Sequence, residues 1–469
     1  MEIFKITMKI KFVLALATLF NSSVLWAQLS RTQEFHDKYT LSEVAIFSRH
    51  NIRAPLAEPG SFISTITPHE WHDFGVNAKE LTMKGGVLET INGQFFHQWV
   101  VSEGLFPENA IPTDEEVVFV ANSKQRTIST ARHFASAFMP MKTITVQHDG
   151  KIGDTDALFN MNLGSDITEA EWAQIHQETA AHYSPESLRQ YSESLQPNYD
   201  LLSDVLDLKN SPAYLDGSFT GFNDHNTQIE YVIGKEPEVT ASMNMAVQPS
   251  DALVLQYYEE TDPQKEAFGK TLTAEQWMAI YQLIHAHDVV RFCSPWVNRH
   301  VSKAQRQFIA DALQNPARKF TFLCGHDTNI LNILKALRTK EYTTTNAIEI
   351  GTPIGSKIVF EKWVDDSGNA FVAVNHVYQT VEQLRSITML NSTTTPNIIP
   401  LQFEDMTPNE DGLYPMAAMI NRLTDNEPTA VKGIDDNKQK SDKAYTISGM
   451  PASNTYNGIV IQNGTKRIK

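Results

Sequence analysis

Short apolar runs that end abruptly in polar residues constrain the fold of this 469-residue chain more than any other feature. Three of them lie at residues 44–47, 116–120 and 319–324. They are rich in β-branched or aromatic residues, which is typical of buried strands, and a helical pattern follows each of them. Strands that alternate with helices predict a mostly parallel sheet flanked by helices, an α/β fold. In such a sheet, ligands bind at the carboxyl ends of the strands.

The polar residues after the first run carry a distinct chemical pattern. Arg49, His50 and Arg53 closely follow Phe47, and Pro55 then limits the backbone so that the chain leaves the strand. An arginine guanidinium is a planar, permanently charged fork that matches phosphate oxygens. A histidine between two such forks can attack a phosphorus atom that they hold in place. The alternative is that the arginines are surface charges and that the histidine is an ordinary strand-end residue.

The two later runs end in residues that can complete such a site. Arg126 follows the second run at the start of a predicted helix, and helix N-termini favour anions. The third run is followed by His326 and Asp327, within the segment G-H-D-T-N. In isolation, Arg126 can be a plain surface residue, and an aspartate in the position of Asp327 is more often a helix cap than an acid. Their common place after strands nevertheless fits one shared cleft.

These segments together resemble the histidine acid phosphatases. Residues 49–55 match the pattern R-H-x-x-R-x-P, with Asn51 where most members have glycine, and residues 325–329 resemble the second half of the family's site. The variant R-H-N-[IL]-R-A-P-L is similar to that of the periplasmic glucose-1-phosphatases of this family, and so are residues 81–89 and 352–360. The similarity extends from about residue 41 to about residue 423, most of the chain.

The resemblance implies a two-step hydrolysis of phosphomonoesters that needs neither a metal nor another cofactor. His50 would attack phosphorus and form a phosphohistidine, and Asp327 would give a proton to the leaving group. The residues implied to bind the phosphate are Arg49, Arg53, Arg126 and His326. Because Asp327 must carry a proton in the first step, we expect an acidic pH optimum.

A small phosphomonoester, most simply glucose 1-phosphate or a similar sugar phosphate, is the partner that the resemblance implies. Glu236 lies in a segment, G-K-E-P, that resembles a segment of the glucose-1-phosphatases. The glutamate of that segment contacts the part of the substrate beyond the phosphate. The alternative for Glu236 is a solvated loop carboxylate. A phytase acting on myo-inositol hexakisphosphate is the second candidate, because phytases share the fold and both motifs. A non-catalytic phosphosugar-binding surface protein is a more distant candidate. The intact His50 and Asp327 argue against it.

Other classes of site and partner are disfavoured. His285 and His287 are two residues apart on a predicted helix and so do not face the same way. The sequence lacks an H-E-x-x-H motif, a cysteine cluster, a G-x-S-x-G elbow and a P-loop, which excludes the commonest zinc, serine hydrolase and NTPase sites. The formal charge of −16 disfavours nucleic acid or an anionic membrane as a partner. Monomer and homodimer remain equally open.

Six segments are predicted along the chain. Residues 1–27 are typical of a secretory signal peptide, so the protein is expected to be exported to the periplasm, with the cell surface or secretion as alternatives. No later stretch is long enough to insert into a membrane. The remaining segments are the two parts of a phosphoglycerate mutase-like α/β core (28–160 and 293–423), an inserted mainly helical cap (161–292), a linker (424–443) and a C-terminal tail hairpin (444–469).

Smaller features refine these segments, among them a strand predicted at residues 144–146 and a helix predicted from Ile330 to Leu337. Thr168 with Glu171, and Thr273 with Gln276, predict capping boxes at two helix starts inside the cap. The sequence has only two cysteines, Cys293 in a predicted helix and Cys324 in a strand, and both are expected to be buried free thiols. Asn463-Gly464 predicts the turn of the terminal hairpin.

Overall fold

The computed structural model describes residues 31–56, 60–154 and 156–425, and the backbone of three short strands after residue 425. The described residues up to 425 belong to one compact unit, and the three strands after residue 425 belong to a second. The predicted signal peptide lies outside the described residues, and so does the predicted linker from residue 426 onward. Within the described residues, no helix combines the length and the hydropathy needed to cross a bilayer.

Strands and α-helices follow one another along the described part of the chain. The strands are β1 (Tyr39–Arg49), β2 (Val117–Ala121), β3 (Val146–Gln147), β4 (Ile229–Glu230), β5 (Glu238–Val239), β6 (Phe320–Gly325), β7 (Lys357–Asp365), β8 (Ala370–Tyr378), β9 (Asn397–Pro400), β10 (Tyr414–Pro415), β11 (Tyr445–Thr446), β12 (Ile459–Gln462) and β13 (Thr465–Ile468). The α-helices are α1 (Gln33–His36), α2 (Phe62–Thr65), α3 (Met83–Ser102), α4 (Gln125–Phe138), α5 (Glu169–His182), α6 (Pro185–Ser194), α7 (Gln196–Val205), α8 (Pro212–Leu215), α9 (Ala241–Met245), α10 (Val247–Glu259), α11 (Ala274–Arg291), α12 (Pro295–Gln314), α13 (Asp327–Ala336), α14 (Val381–Arg385) and α15 (Met416–Leu423). A 3₁₀ turn (Leu208–Asn210) separates α7 from α8.

A central sheet organises the first unit. Its strand order is β10-β8-β7-β1-β6-β2-β3, and β9 also pairs with β8. The strands β1, β6, β2 and β3 are parallel neighbours, whereas β7 is antiparallel to β1 and β8 is antiparallel to β7. Among the eight described strands of this sheet, β1, β2, β3, β6 and β8 therefore run in one direction. The predicted α/β fold with a mostly parallel central sheet is confirmed.

Helices cover both faces of this sheet, because its central strands are apolar on both sides. Val44 and Ile46 of β1 pack into a cluster with residues of α3 and α4 on one face. Ala45 and Phe47 pack against α12 and α13 on the other face. Strands buried on both faces read as continuous apolar runs, which is why the apolar pattern in the sequence located them.

The helix starts predicted between residues 161 and 292 are confirmed in detail. The hydroxyl of Thr168 accepts a hydrogen bond from the N–H of Glu171, whose carboxylate accepts one from the N–H of Thr168, at the start of α5. Thr273 and Gln276 form the same reciprocal pair at the start of α11. Each pair satisfies N–H groups that a helix terminus leaves without partners. The segment is mainly helical, with β4 and β5 as a short antiparallel pair, and its division from the core as a separate cap stays a prediction.

Local boundaries differ from expectation in three places. Cys293 lies between α11 and α12 rather than inside a helix, although it and Cys324 are buried free thiols as expected. The helix after β6 begins at Asp327 rather than at Ile330, so the aspartate is its first residue. The strand predicted at residues 144–146 is β3, shifted toward the C-terminus by one to two residues.

The second unit contains the sheet β11-β12-β13. In it, β12 and β13 pair antiparallel with Gln462 opposite Thr465, which confirms the predicted hairpin. The exact bounds of the tail as a domain stay a prediction.

Candidate active site

The register of the central strands brings the predicted site residues together. Arg49 ends β1 directly opposite Gly325, which ends β6. His50 and His326 therefore follow side by side, with their ring centroids 5.4 Å apart. The neighbouring strand β2 ends beside β6, and its next residue is Asn122, the N–H of which donates to β6. The three apolar runs thus end at one edge of the sheet, as predicted.

The hydrogen bonding of His50 fixes which of its nitrogens can react. Its Nδ1 lies 2.8 Å from the carbonyl oxygen of Asn51. Because a carbonyl only accepts, Nδ1 carries the proton and Nε2 carries the lone pair. Burial, followed by the positive charge of Arg126, holds the pKa of His50 well below its ordinary value. Both effects favour the neutral imidazole, whose lone pair is at Nε2.

Arg49, Arg53 and Arg126 surround this histidine, and each keeps one N–H free. Their Nε–H groups are buried and have no acceptor among the described residues. A buried donor without a partner costs about 1–3 kcal/mol. An anion with several acceptor oxygens, such as phosphate, is the kind of ligand that can accept from such donors. The structure thus brings the three predicted arginines to one place, with properties that suit a phosphoryl group.

Asp327 is an ion-pair partner in the ligand-free protein. Its carboxylate lies 3.0 Å from the guanidinium of Arg49, and it accepts a hydrogen bond of 2.9 Å from the N–H of Thr328. Burial alone would raise the pKa of Asp327, but the charge of Arg49 and several smaller contributions, among them the hydrogen bond from Thr328, together outweigh burial and lower this pKa to about 2. The carboxyl group is therefore ionised before substrate binds. A phosphate that binds Arg49 competes for the guanidinium and so raises the pKa of Asp327.

His326 completes the wall of the site next to Arg126. Its Nδ1 lies 3.4 Å from a terminal nitrogen of Arg126, and its Nε2 lies 2.7 Å from the side-chain amide of Asn122. The atom of Asn122 at this distance is the amide nitrogen, which only donates, so Nε2 accepts a hydrogen bond from it. Burial and the charge of Arg126 lower the pKa of His326 well below its ordinary value. Asn122 thus fixes this ring, a role that the sequence did not reveal.

Among the described residues, Glu236 is linked to the cluster only through the charge of Arg291. Its carboxylate lies 3.3 Å from Arg291, which also pairs with Asp288 at 3.1 Å. Burial raises the pKa of Glu236, and the nearby Arg291 opposes that increase. The charge of Arg291 in turn interacts with that of Asp327. The structure therefore places Glu236 in a pair with Arg291 and not within the arginine cluster, and its contact with a substrate stays a prediction.

Asp251 is a site residue that the sequence analysis did not single out. It lies on α10, and its two carboxylate oxygens accept from the two terminal nitrogens of Arg53, both at 3.0 Å. This fork-to-fork pair is the strongest geometry between an arginine and a carboxylate. No motif surrounds Asp251 in the sequence, so nothing there distinguished it from other helical carboxylates.

Asn51, which replaces the usual glycine, is explained by a buried polar network beneath the site. Its side-chain N–H₂ donates to Glu89 at 2.9 Å, and Glu89 forms a 2.9 Å ion pair with Lys357. The ammonium of Lys357 also donates to the carbonyl of Gly355 at 2.9 Å. Both charged side chains are at most 1% exposed. The network therefore anchors the residue whose carbonyl orients His50.

A metal ion would need several histidine, cysteine, aspartate or glutamate side chains that converge on one point. Within the part of the chain that the structure describes, no group of three or more such side chains could hold a metal ion. A metal-free reaction stays a prediction.

Known proteins resemble this chain over most of its length. The profile of the histidine phosphatase superfamily (branch 2) matches residues 40–379. Glucose-1-phosphatase from Salmonella typhimurium is 32% identical over 412 residues, which cover 87% of this chain and 97% of the relative. Glucose-1-phosphatase from Providencia rettgeri is 30% identical over 404 residues, or 84% and 94% of the two chains. Among solved structures, the apo form of Hafnia alvei phytase has a TM-score of 0.72 at 26% identity, covering 83% of this chain and 97% of its own.

Proposed function

Because the chain belongs to the histidine phosphatase superfamily (branch 2) and is a phosphomonoester hydrolase, we propose that it hydrolyses a sugar phosphate through a phosphohistidine. Glucose 1-phosphate or a similar sugar phosphate is the substrate. The observation that carries the proposal is the cluster at the sheet edge. There a neutral His50 with a free Nε2 lies among three arginines with unpaired N–H groups, and the carboxylate of Asp327 contacts one of them.

The first step transfers the phosphoryl group to His50. The arginines and His326 hold the phosphoryl oxygens and stabilise the negative charge on them. Nε2 of His50 attacks phosphorus, so an N–P bond forms while the P–O bond to the sugar breaks. The departing oxygen takes the electron pair of the broken bond and receives a proton from Asp327.

The second step releases phosphate. Water attacks the phosphohistidine at phosphorus and gives a proton to the carboxylate of Asp327. The N–P bond then breaks, its electron pair returns to Nε2 of His50, and inorganic phosphate leaves. The proton on Asp327 leaves with the phosphate, so the cycle ends with the imidazole neutral and Asp327 ionised, as it began.

An acidic pH optimum is still expected from the charges of the site, but for a different reason than the one given by the sequence. Since the pKa of Asp327 is about 2 in the free protein, this group does not hold the catalytic proton in advance. A phosphomonoester loses its second proton near pH 6, so below that pH it enters as a monoanion that carries one proton. Burial and the charge of Arg126 lower the pKa of His50, which favours its neutral, nucleophilic form. The proton that Asp327 donates thus arrives with the substrate.

Asp327→Asn is expected to lower kcat on glucose 1-phosphate by about 10²–10⁴-fold, the usual contribution of a general acid. The effect on p-nitrophenyl phosphate should be much smaller, because nitrophenolate leaves without a proton. Steady-state kinetics on both substrates measure the difference. Asp411→Asn, which removes a carboxylate that pairs with Lys38, is the control and should leave both rates unchanged. An equal loss on both substrates would contradict a proton-donor role.

The substrate assignment is supported by the two relatives named glucose-1-phosphatase, both of which align over most of this chain. Phytate is the second candidate, favoured by the similarity to the Hafnia alvei phytase structure. The experiment compares release of phosphate from glucose 1-phosphate, phytate and p-nitrophenyl phosphate at acidic pH. We expect the sugar phosphate to be the better natural substrate, and a faster release from phytate would favour the second candidate.

Glu236→Ala is expected to raise KM for glucose 1-phosphate several-fold, in line with the loss of about one hydrogen bond to a sugar hydroxyl. KM for p-nitrophenyl phosphate, which has no sugar hydroxyls, should not change. Glu238→Ala removes a nearby exposed carboxylate and is the matched control. If Glu236→Ala alters neither kcat nor KM on the sugar phosphate, the residue has no role toward substrate.

We also propose that the protein is exported and acts in the periplasm. The pattern of residues 1–27 supports this location. A small monoanionic or dianionic ester is a substrate that such a soluble enzyme would meet there.

A further inference from the structure

Asp251 places a negative charge inside a site that suits an anion. Its fork-to-fork pair with Arg53 occupies both terminal nitrogens of that arginine. The Arg53 side chain is 8% exposed and the Asp251 side chain is 17% exposed. The same carboxylate also interacts through its charge with Arg49 and Arg126. A phosphate that enters must therefore bind next to a carboxylate, which weakens its attraction to the arginines.

The formal charge of the site follows from the groups at the sheet edge. Three guanidinium groups and two carboxylates leave one net positive charge, since both histidines are neutral. The groups counted are Arg49, Arg53, Arg126, Asp251, Asp327, His50 and His326. Outside this set, Tyr258, Tyr281 and Glu349 interact with the charge of Arg49, and the charge of Lys124 acts on His326. These outer groups are the same whether or not Asp251 carries its charge.

We propose that Asp251 is a positioning residue that sets this charge so that a phosphoryl group binds together with one proton, which Asp327 then donates. A dianionic phosphomonoester brings two negative charges to a site with one positive charge. The excess negative charge is cancelled by one proton, which resides on Asp327 once the phosphate has displaced this carboxylate from Arg49. Without the charge of Asp251, two net positive charges would balance the dianion and Asp327 would stay ionised. The inference rests on the proposed function, because it assigns the proton to the donor named there.

Calorimetric titration with inorganic phosphate tests the proposal without turnover. At a pH where free phosphate is mostly dianionic, binding is measured in buffers that differ in ionisation enthalpy, which reports the protons taken up. The wild-type protein is expected to take up about one proton for each phosphate bound, and Asp251→Asn less than about half of that. Binding to the wild type with no proton uptake, or equal uptake by both proteins, would overturn the proposal. A wild type that binds phosphate in this way and yet hydrolyses no ester would instead refute the proposed function.

Kinetics of the same variant separate a charge effect from a structural one. At neutral pH, Asp251→Asn should bind phosphate at least about tenfold more tightly, because one nearby negative charge is gone. Its kcat at that pH should fall, because Asp327 lacks the proton. If Asp251 only holds Arg53 in place, the variant will instead lose phosphate affinity equally at every pH, which contradicts the proposal.

Two further variants keep the test decisive. Asp251→Glu retains the charge and should keep the proton uptake of the wild type, even if kcat is lower. Glu266→Gln removes the same charge from a carboxylate that pairs with Arg385 at 2.7 Å, and it should leave both uptake and phosphate affinity unchanged. If Asp251→Asn does not fold, the proposal is tested by proton uptake in the wild type and in Asp251→Glu. A loss of uptake in Asp251→Glu would contradict the proposal.

Discussion

His50→Ala is expected to lower kcat on glucose 1-phosphate by about four orders of magnitude or more, the loss typical of removing an enzymatic nucleophile. His326 is not available to replace it, because its Nε2 accepts from the amide nitrogen of Asn122 and its Nδ1 lies 3.4 Å from Arg126. Rapid quenching with labelled substrate should trap a phosphohistidine in the wild type and none in the variant. Phosphate release under acidic conditions measures the loss of kcat.

The matched control is His225→Ala, which removes a histidine that lies 3.1 Å from the Ser192 hydroxyl, remote in sequence from the cluster. It should retain full activity. Binding of inorganic phosphate to His50→Ala should persist, because Arg49, Arg53 and Arg126 remain. If wild type and His50→Ala release phosphate equally slowly, the protein is not an enzyme of this kind, and a phosphosugar-binding role becomes the better explanation.

The residues predicted for this site could be identified from the sequence because of their positions along the chain. Arg49, His50, His326 and Asp327 follow directly after two apolar runs, and parallel strands bring their carboxyl ends to the same edge. The register Arg49 opposite Gly325 then places both histidines side by side. A short motif and a simple topological rule were therefore sufficient to bring these residues together, and their catalytic roles stay predictions.

The partners of those residues could not be identified from the sequence in the same way. Asp251 lies on α10, in a helical segment without a motif, and only the packing of that helix near the loop after β1 brings it to Arg53. The ionised state of Asp327 likewise depends on its contact with Arg49, which the sequence did not reveal. Local patterns carry no information about contacts between distant segments, so the electrostatics of the site had to come from the structure.

The buried network beneath His50 also depends on contacts between distant segments of the chain. Its disruption should have a large effect on stability. Glu89→Ala is expected to lower the free energy of unfolding by about 3–5 kcal/mol, because it leaves the ammonium of Lys357 buried without its charged partner. It should also lower kcat, since the side chain of Asn51 loses the carboxylate that anchors it. Urea denaturation gives the stability, and kinetics on p-nitrophenyl phosphate give the activity.

A double variant separates these two effects. Glu89→Met with Lys357→Met removes both buried charges, so most of the lost stability should return, as it does when buried ion pairs are replaced by apolar side chains of similar size. The activity should not return, because Asn51 still lacks its acceptor and its carbonyl no longer holds Nδ1 of His50 in place. Glu186→Ala, which breaks a solvent-exposed pair with Arg189, should change neither quantity. Recovery of kcat in the double variant would show that the orientation of His50 is independent of this network.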